Sequence, residues 1–411
     1  MRILHTADWH LNSRLGRQQR NPDLVRALNR VALYLEEERV DVMLVAGDLF
    51  RERSHAEQLQ AGVEIIKIAF KPFIERGGTI VAICGNHDSE VFFTTLRDAL
   101  DLVMPASQHG DELHSSGRLY LVPRARVLRL SDRDGQVVQF VLMPYPSSSY
   151  LRGEAGQRFE TLAQRNRAIA EQFRSVLTRL QQGLESRWPS VLVSHILTRG
   201  MLAPSGHYLE ESDEVRLEAS DLSFPWSYVA LGHVHCPQAA LPNAVHMRYA
   251  GSIERLDYGE RDDQKSVVLL EIKDGRLVEP PRLLPLESAP FYEVEVRNPA
   301  QELPTLPALY PDHERALVRY ILHWDSSTMS VGERERLCQA IEGLFPRWYE
   351  REIRDVRSGT VTSSALTFQQ SRDVLATVRH YLDLCLKDDP EPEREAMLQL
   401  AEQLFMEVEE R

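Results

Sequence analysis

The stretch VAICGNHDSE, Val81 to Glu90, decides how this chain is read. Val81–Cys84 suit a β-strand. Gly85-Asn86-His87-Asp88 then deliver an amide, an imidazole and a carboxylate in consecutive positions. An apolar strand normally runs out into a turn whose residues serve backbone conformation. Here three chemically useful side chains follow the strand directly, so its end reads as one wall of a site.

The same arrangement recurs on either side. Asp8-Trp9-His10 follows a predicted strand at Arg2–Thr6, and Gly47-Asp48 follows one at Val40–Ala46. His195 closes a strand predicted at Val191–Ser194, and Gly232-His233-Val234-His235 follows one at Tyr228–Leu231. Further strands are expected at Thr79–Cys84, Leu119–Val122, Val137–Met143 and Ser266–Ile272. Leu24, Leu28, Val31 and Leu35 fall at helical spacing, and helical patterns cover Leu59–Glu75 and Phe159–Gln182. The alternation predicts an α/β fold with helices covering a sheet. In such folds the carboxyl ends of the strands line one edge, where sites form. Five short motifs far apart in sequence therefore converge.

Asp8, His10, Asp48, Asn86, His195, His233 and His235 offer mixed oxygen and nitrogen donors without cysteine. That set suits Mn, Fe or Zn with open positions. It exceeds the needs of one ion and matches two ions sharing a carboxylate, with Asp48 the natural bridge. Gly47, Gly85 and Gly232 allow backbone conformations and close approaches denied to other residues. Taken singly, each motif reads as a surface turn or a structural histidine. The ordered set, each member after a strand, carries the argument.

The 411 residues suit two or three domains. No apolar run reaches the roughly 18 residues of a membrane span. The start, MRILHTAD, lacks the pattern of a signal peptide. Four cysteines without a CxxC pair read as reduced thiols, and a cytoplasmic setting is expected. The formal charge of −13 excludes a simple basic nucleic-acid binder. Bound cations can still supply a local positive field for a polyanion. After Pro285 the texture changes. FYEVEV (Phe291–Val296) and ALVRYILHW (Ala316–Trp324) read as strands and Gly332–Phe345 as a helix, a small α+β domain. From Ser371 two amphipathic helices are expected, broken at KDDPEPE. Their apolar stripes are Val374, Leu375, Val378, Leu382 and Cys385, then Met397, Leu400, Ala401, Leu404 and Val408.

The ordered motifs resemble the calcineurin-like metallophosphoesterase superfamily. MRILHTADWHL, VDVMLVAGDLF, ICGNHD, YVALGHVH and YAGSIERLDYGE look like the Mre11/SbcD family of DNA-repair nucleases, over roughly Met1 to Ile272. The resemblance implies a metallophosphoesterase β-sandwich flanked by helices (1–285), a small α+β capping, DNA-binding domain (286–365) and a C-terminal helical pair (366–411). It implies two Mn2+ ions, with Mg2+, Fe2+ or Zn2+ possible. Asp8, His10, Asp48 and His235 would hold one, and Asp48, Asn86, His195 and His233 the other. His87 would contact the scissile phosphate and help expel the leaving oxygen while Asp88 orients it. Activated water would attack phosphorus in line. The implied activity is double-strand exonuclease and single-strand or hairpin endonuclease cleavage in DNA end processing, on nucleoid DNA. The implied partners are DNA, a second copy joined through Leu24–Glu38 and Leu59–Glu75, and an SbcC/Rad50-type SMC-like ATPase gripped by the C-terminal helices.

One position departs from the pattern. Arg51 stands where many relatives carry His or Asp, and His55 nearby reads as a helix start. Arg14, Arg17 and Arg20 share one loop and, with Arg51, are candidates to grip DNA phosphates, against the plainer reading of a solvated cluster. Trp9 reads as a wedge under the site's backbone and Cys84 as core. Two other functions fit less well. A phosphoesterase for small phosphodiesters or phosphoproteins needs no large C-terminal extension, and a mere DNA-tethering scaffold needs no intact donor set.

Overall fold

The computed structural model describes residues 1–51, 54–102, 113–151, 159, 161–198, 214–242, 244–357, 361–363 and 397. They fall into two compact units, one of Met1–Tyr292 with Asp312–Leu317, the other of Glu293–Pro311 with the chain from Val318. The helical pair expected after Ser371 lies outside the described residues apart from Met397.

The first unit contains two facing sheets. One runs Arg276–Leu277, Ser266–Lys273, Arg2–Thr6, Val42–Val45, Thr79–Ile83, Leu119–Val122, with Arg282–Pro285 also paired to Ser266–Lys273. Its last four strands are parallel to one another. The other runs Gln238–Ala239, Met247–Tyr249, Tyr228–Gly232, Ser190–His195, Val137–Met143, Arg126–Ser131. Ile3, Leu44, Val81 and Ile83 of the first sheet meet Phe140, Leu142, Val193 and Ala230 of the second in one buried layer. On the outer face of the first sheet, Leu4, Met43 and Val45 share a core with Leu28 and Val31 of helix Asn21–Glu37, Phe70 and Phe73 of helix Ala56–Glu75, and Phe93 of helix Glu90–Leu102. Ile169, Phe173 and Leu177 of helix Leu162–Gln182 cover Leu192 and Leu231 of the second. With both faces covered, VMLV and TIVAI are buried at every residue, which explains their continuous rather than alternating apolar pattern.

Several described elements carry no prediction from the sequence, among them strand Arg126–Ser131 and helix Glu90–Leu102. Arg126–Ser131 carries polar residues outward while Leu128 and Leu130 point inward, fully buried, as suits an edge strand. Helix Glu90–Leu102 buries only Phe93, so its helical period is faint in the sequence. The first compact unit runs through Tyr292. Arg282–Pro285 is itself a strand, and the Ala289 amide donates to the buried Glu254 carboxylate.

The second unit contains a sheet in the order Phe291–Val296, Leu317–Trp324, Trp348–Asp355, Val361–Ser363. Leu317–Trp324 and Trp348–Asp355 are parallel and joined through helix Val331–Leu344, the crossover a parallel pair requires. Ser330 caps that helix: its hydroxyl accepts from the Glu333 amide, and Glu333 reaches back to the Ser330 amide. Among the described residues no helix is long and apolar enough to cross a membrane.

Candidate metal centre

All five motifs lie at the carboxyl ends of their strands, and the backbone there is unusual. Asp8, His10, Asp48 and His233 adopt positive φ (53°, 46°, 55° and 91°), which side-chain-bearing residues rarely do. The loops are zipped together: the Asp8 amide donates to the Gly47 carbonyl, the His10 amide to the Asp48 carbonyl and the Leu11 amide to the Leu49 carbonyl. Both Asp8 carboxylate oxygens accept from the His233 amide, at 3.0 and 3.1 Å. Gly47 sits at φ 95°, whereas Gly85 and Gly232 are needed for space. A Cβ on Gly85 would lie 2.1 Å from Asp48 Oδ1, and one on Gly232 would lie 2.0 Å from the Ala46 carbonyl oxygen.

The side chains then converge. Asp48 Oδ2 lies 3.5 Å from His10 Nε2 and 3.4 Å from His195 Nε2, between the two. On the first side His10 Nε2 and His235 Nε2 face each other at 3.2 Å. On the second, Asn86 Oδ1 lies 2.9 Å from His195 Nε2 and 3.0 Å from His233 Nδ1. Asp8, His10 and His235 form one set of mutually close ligand atoms, Asp8, Asp48 and His195 a second, and His10, Asp48 and His87 a third. His87 stands off, with Nε2 3.9 Å from Asp48 Oδ2 and about a third of its side chain exposed (35%). Two ring nitrogens in contact need a proton or a cation between them. These residues therefore fit divalent metal, a set of hard and borderline donors around a buried carboxylate.

Charge and burial compete in this cluster. Burial alone would raise the Asp48 carboxyl, but His195, His10 and His87 hold it well below the usual carboxylate range. Burial opposes charge on His195, yet Asp48 outweighs it and lifts the ring to about 9. His235 is lifted against burial to about 8 by Glu260. Desolvation wins at His10, which falls to about 3. The carboxylates thus favour positive charge at His195 and His235 despite burial, as suits a place where cations bind.

The structure corrects one assignment. Arg20 is fully buried; its guanidinium pairs with Asp23 at 3.0 Å and Glu254 at 3.7 Å and donates to the Arg255 carbonyl. It locks the start of helix Asn21–Glu37 and cannot reach a phosphate. Arg14, Arg17 and Arg51 are exposed. Asp88 is buried. Its oxygens accept from the amides of Leu49, Phe50 and Gly85, fastening the Asn86 loop to the Asp48 loop. Burial and the Asp48 charge push the Asp88 carboxyl up to about 7, against those amides. Trp9 stacks on Phe70 beneath the site, and His55 starts helix Ala56–Glu75.

Several contributors escape a reading of the sequence. The Ala46 carbonyl accepts from His195 Nδ1 at 2.7 Å, leaving Nε2 to face Asp48. Glu260 accepts from His235 Nδ1 at 2.7 Å, and Glu214 accepts from His233 Nε2. Tyr145 packs its ring 5.9 Å from that of His233. Glu260 stands inside YAGSIERLDYGE and is within reach of pattern reading; Glu214 belongs to no motif.

The SbcD component of the SbcCD nuclease from several bacteria is similar in sequence. The chain is 27% identical over 281 residues to that of Bacillus subtilis, covering 67% of each chain. It is 27% identical over 343 residues to that of Rhodobacter capsulatus, covering 77% of this chain and 78% of the other. It is 27% identical over 300 residues to that of Escherichia coli K12, covering 67% and 66%. A family model described as calcineurin-like phosphoesterase matches residues 1–237, more than half the chain and all five converging motifs. The chain belongs to the calcineurin-like phosphoesterase family.

Proposed function

We propose that this chain is a metal-dependent DNA nuclease, the nuclease component of an SbcCD-type complex, hydrolysing phosphodiester bonds during DNA end processing. One observation carries the hydrolytic part: Asp48 Oδ2 lies midway between two donor sets, 3.5 Å from His10 Nε2 and 3.4 Å from His195 Nε2. A carboxylate shared by two ions would take that position. Asp8, His10, Asp48 and His235 would hold one, and Asp48, Asn86, His195 and His233 the other, Mn2+ being the expected metal. Bound ions would supply Lewis acidity, an activated water and neutralisation of charge developing on phosphate. His87, part exposed beside the donor sets, would touch the scissile phosphate and give a proton to the leaving oxygen.

DNA as substrate is supported by the relatives, each named as part of a nuclease. In this reading the chain acts as a double-strand exonuclease and a single-strand or hairpin endonuclease on nucleoid DNA in the cytoplasm. Arg14, Arg17 and Arg51 would contact backbone phosphates, whose charge supplies most affinity. A homodimer would join through the first two helices, where Leu33 is 50% and Ile68 67% exposed. The segment from Ser371 would grip the coiled coil of the SMC-like ATPase.

The test is hydrolysis of circular single-stranded DNA beside bis-p-nitrophenyl phosphate, with Mn2+ added. Cleavage of both is expected. Cleavage of the small ester alone would remove DNA from the proposal, and cleavage of neither would leave a scaffold.

A further inference from the structure

His233 and His235 are two residues apart in one loop, yet their rings meet different neighbours through different nitrogens. His235 donates from Nδ1 to Glu260 Oε1 at 2.7 Å, which leaves Nε2 to face His10 Nε2 at 3.2 Å. His233 donates from Nε2 to Glu214, which leaves Nδ1 facing Asn86 Oδ1 at 3.0 Å and His195 Nε2 at 3.3 Å. A neutral imidazole has one donor and one acceptor nitrogen, and a carboxylate can only accept. In the neutral ring that binds a metal, each glutamate therefore dictates which nitrogen keeps its lone pair.

We propose that Glu214 and Glu260 are positioning residues that sort these histidines between the two metal ions by imposing opposite tautomers. The assignment rests on the two-ion reading above. His233 stands at φ 91° with its amide held by Asp8, and the two rings meet different donors, His235 facing His10 and His233 facing Asn86 and His195.

The two glutamates are anchored unequally. Glu260 Oε2 takes Lys265 Nζ at 2.7 Å, the Ser252 hydroxyl at 3.1 Å and the Leu256 amide at 3.2 Å, while Oε1 serves His235. Both oxygens are committed. Glu214 is 9% exposed and uses one oxygen for His233, while its other oxygen is buried without a hydrogen-bond partner among the described residues. It is carried just ahead of Arg216–Leu217, which pairs with Leu197–Thr198 immediately after His195. The two variants to glutamine should then differ. The single carbonyl oxygen of glutamine at 214 can still accept from His233. At 260 one carbonyl oxygen cannot serve both Lys265 and His235, so the amide group meets one of them with the wrong polarity.

The experiment is Mn2+ titration calorimetry of the full-length chain, followed by anomalous diffraction from Mn-soaked crystals. Wild type should bind two ions. Glu214→Ala should lose about 10–100-fold in affinity for one ion, with anomalous signal missing beside Asn86, His195 and His233. Glu214→Gln should restore binding to within about threefold of wild type, the rescue expected of one accepting oxygen. Glu260→Gln should lose about 10–100-fold at the ion beside Asp8, His10 and His235. Equal losses at both ions in Glu214→Ala, no loss in that variant, failure of its glutamine counterpart to rescue, or wild-type binding in Glu260→Gln would each overturn the sorting. Should wild type itself bind a single ion, the two-ion reading falls and the sorting with it.

Discussion

Replacing Gly85 with alanine adds one methyl group and should silence the site. The new Cβ would lie 2.1 Å from Asp48 Oδ1, 2.4 Å from the Asp48 backbone nitrogen and 2.8 Å from its Cγ. Ordinary contact needs about 3.4 Å or more, so Asp48 and the Asn86 loop must part by roughly 1 Å. Rotating the carboxylate away cannot relieve this, because the backbone nitrogen is also in the way. The movement would break the hydrogen bond from the His87 amide to Asp48 Oδ1, now 2.9 Å, and draw Asp48 from its midpoint between His10 and His195. A misplacement of about 1 Å at reacting groups can cost about 100-fold in rate. Overpacking a rigid site costs about 1–3 kcal/mol of stability. Mn2+-dependent hydrolysis of bis-p-nitrophenyl phosphate and a thermal melt would read both. The variant should stay folded with activity at about 1% of wild type or lower. Activity within about threefold of wild type would refute the claim that Gly85 exists to admit the Asp48 carboxylate.

Asp48→Ala should abolish nuclease activity with the fold retained, and retained turnover at a tenth of wild type or more would remove the shared-carboxylate assignment. His87→Ala should keep Mn2+ binding by calorimetry while turnover falls about 10²–10⁴-fold; loss of a bound ion would make His87 a ligand instead. His5 is fully buried between the sheets, its Nδ1 3.1 Å from the Tyr228 hydroxyl, and burial lowers it from 6.5 to about 3. The unfolded chain therefore binds the proton first, and stability contributed by neutral His5 is present above pH 6.5 and lost as pH falls toward 3. Denaturant melts between pH 6.5 and 4 should show about 1 kcal/mol lost per pH unit from this group, and His5→Gln should flatten that slope; an unchanged slope would exonerate His5.

The sequence was most legible where one residue type admits one explanation. Parallel strands buried on both faces leave unbroken apolar runs, so Val42–Val45 and Thr79–Ile83 could be located to within two residues. The donors were legible because the strand ends deliver them in order, and each reaches the same cluster. Arg20 was misread because its partners Asp23 and Glu254 lie 3 and 234 residues away, and only folding brings the second to it. A surface arginine and a buried, paired one look alike in a sequence. The Asp88 contacts were not legible for a related reason: its partners are backbone amides, which carry no sequence signature at all. Glu214 escaped because nothing local distinguishes it from other carboxylates.

The strained backbone ties these observations together. Residues held at unfavourable φ cost about 1–3 kcal/mol each and persist only where their surroundings over-determine them. Four of the seven candidate ligands are in that state, and each is fixed from outside its own loop. Asp8 is held through the Gly47 carbonyl and the His233 amide, His10 through the Asp48 carbonyl, and Asp48 through the His87 amide. Asp88 completes the ring by clamping the Leu49, Phe50 and Gly85 amides. Every loop is thus braced by at least one other, and none can relax alone. A carboxylate at the centre, brought up against two imidazoles and a glycine backbone, cannot choose its position independently. That interlock makes the convergence of the donors a property of the fold itself. It also explains why one methyl group at Gly85, outside the donor set, should reach every ligand in it.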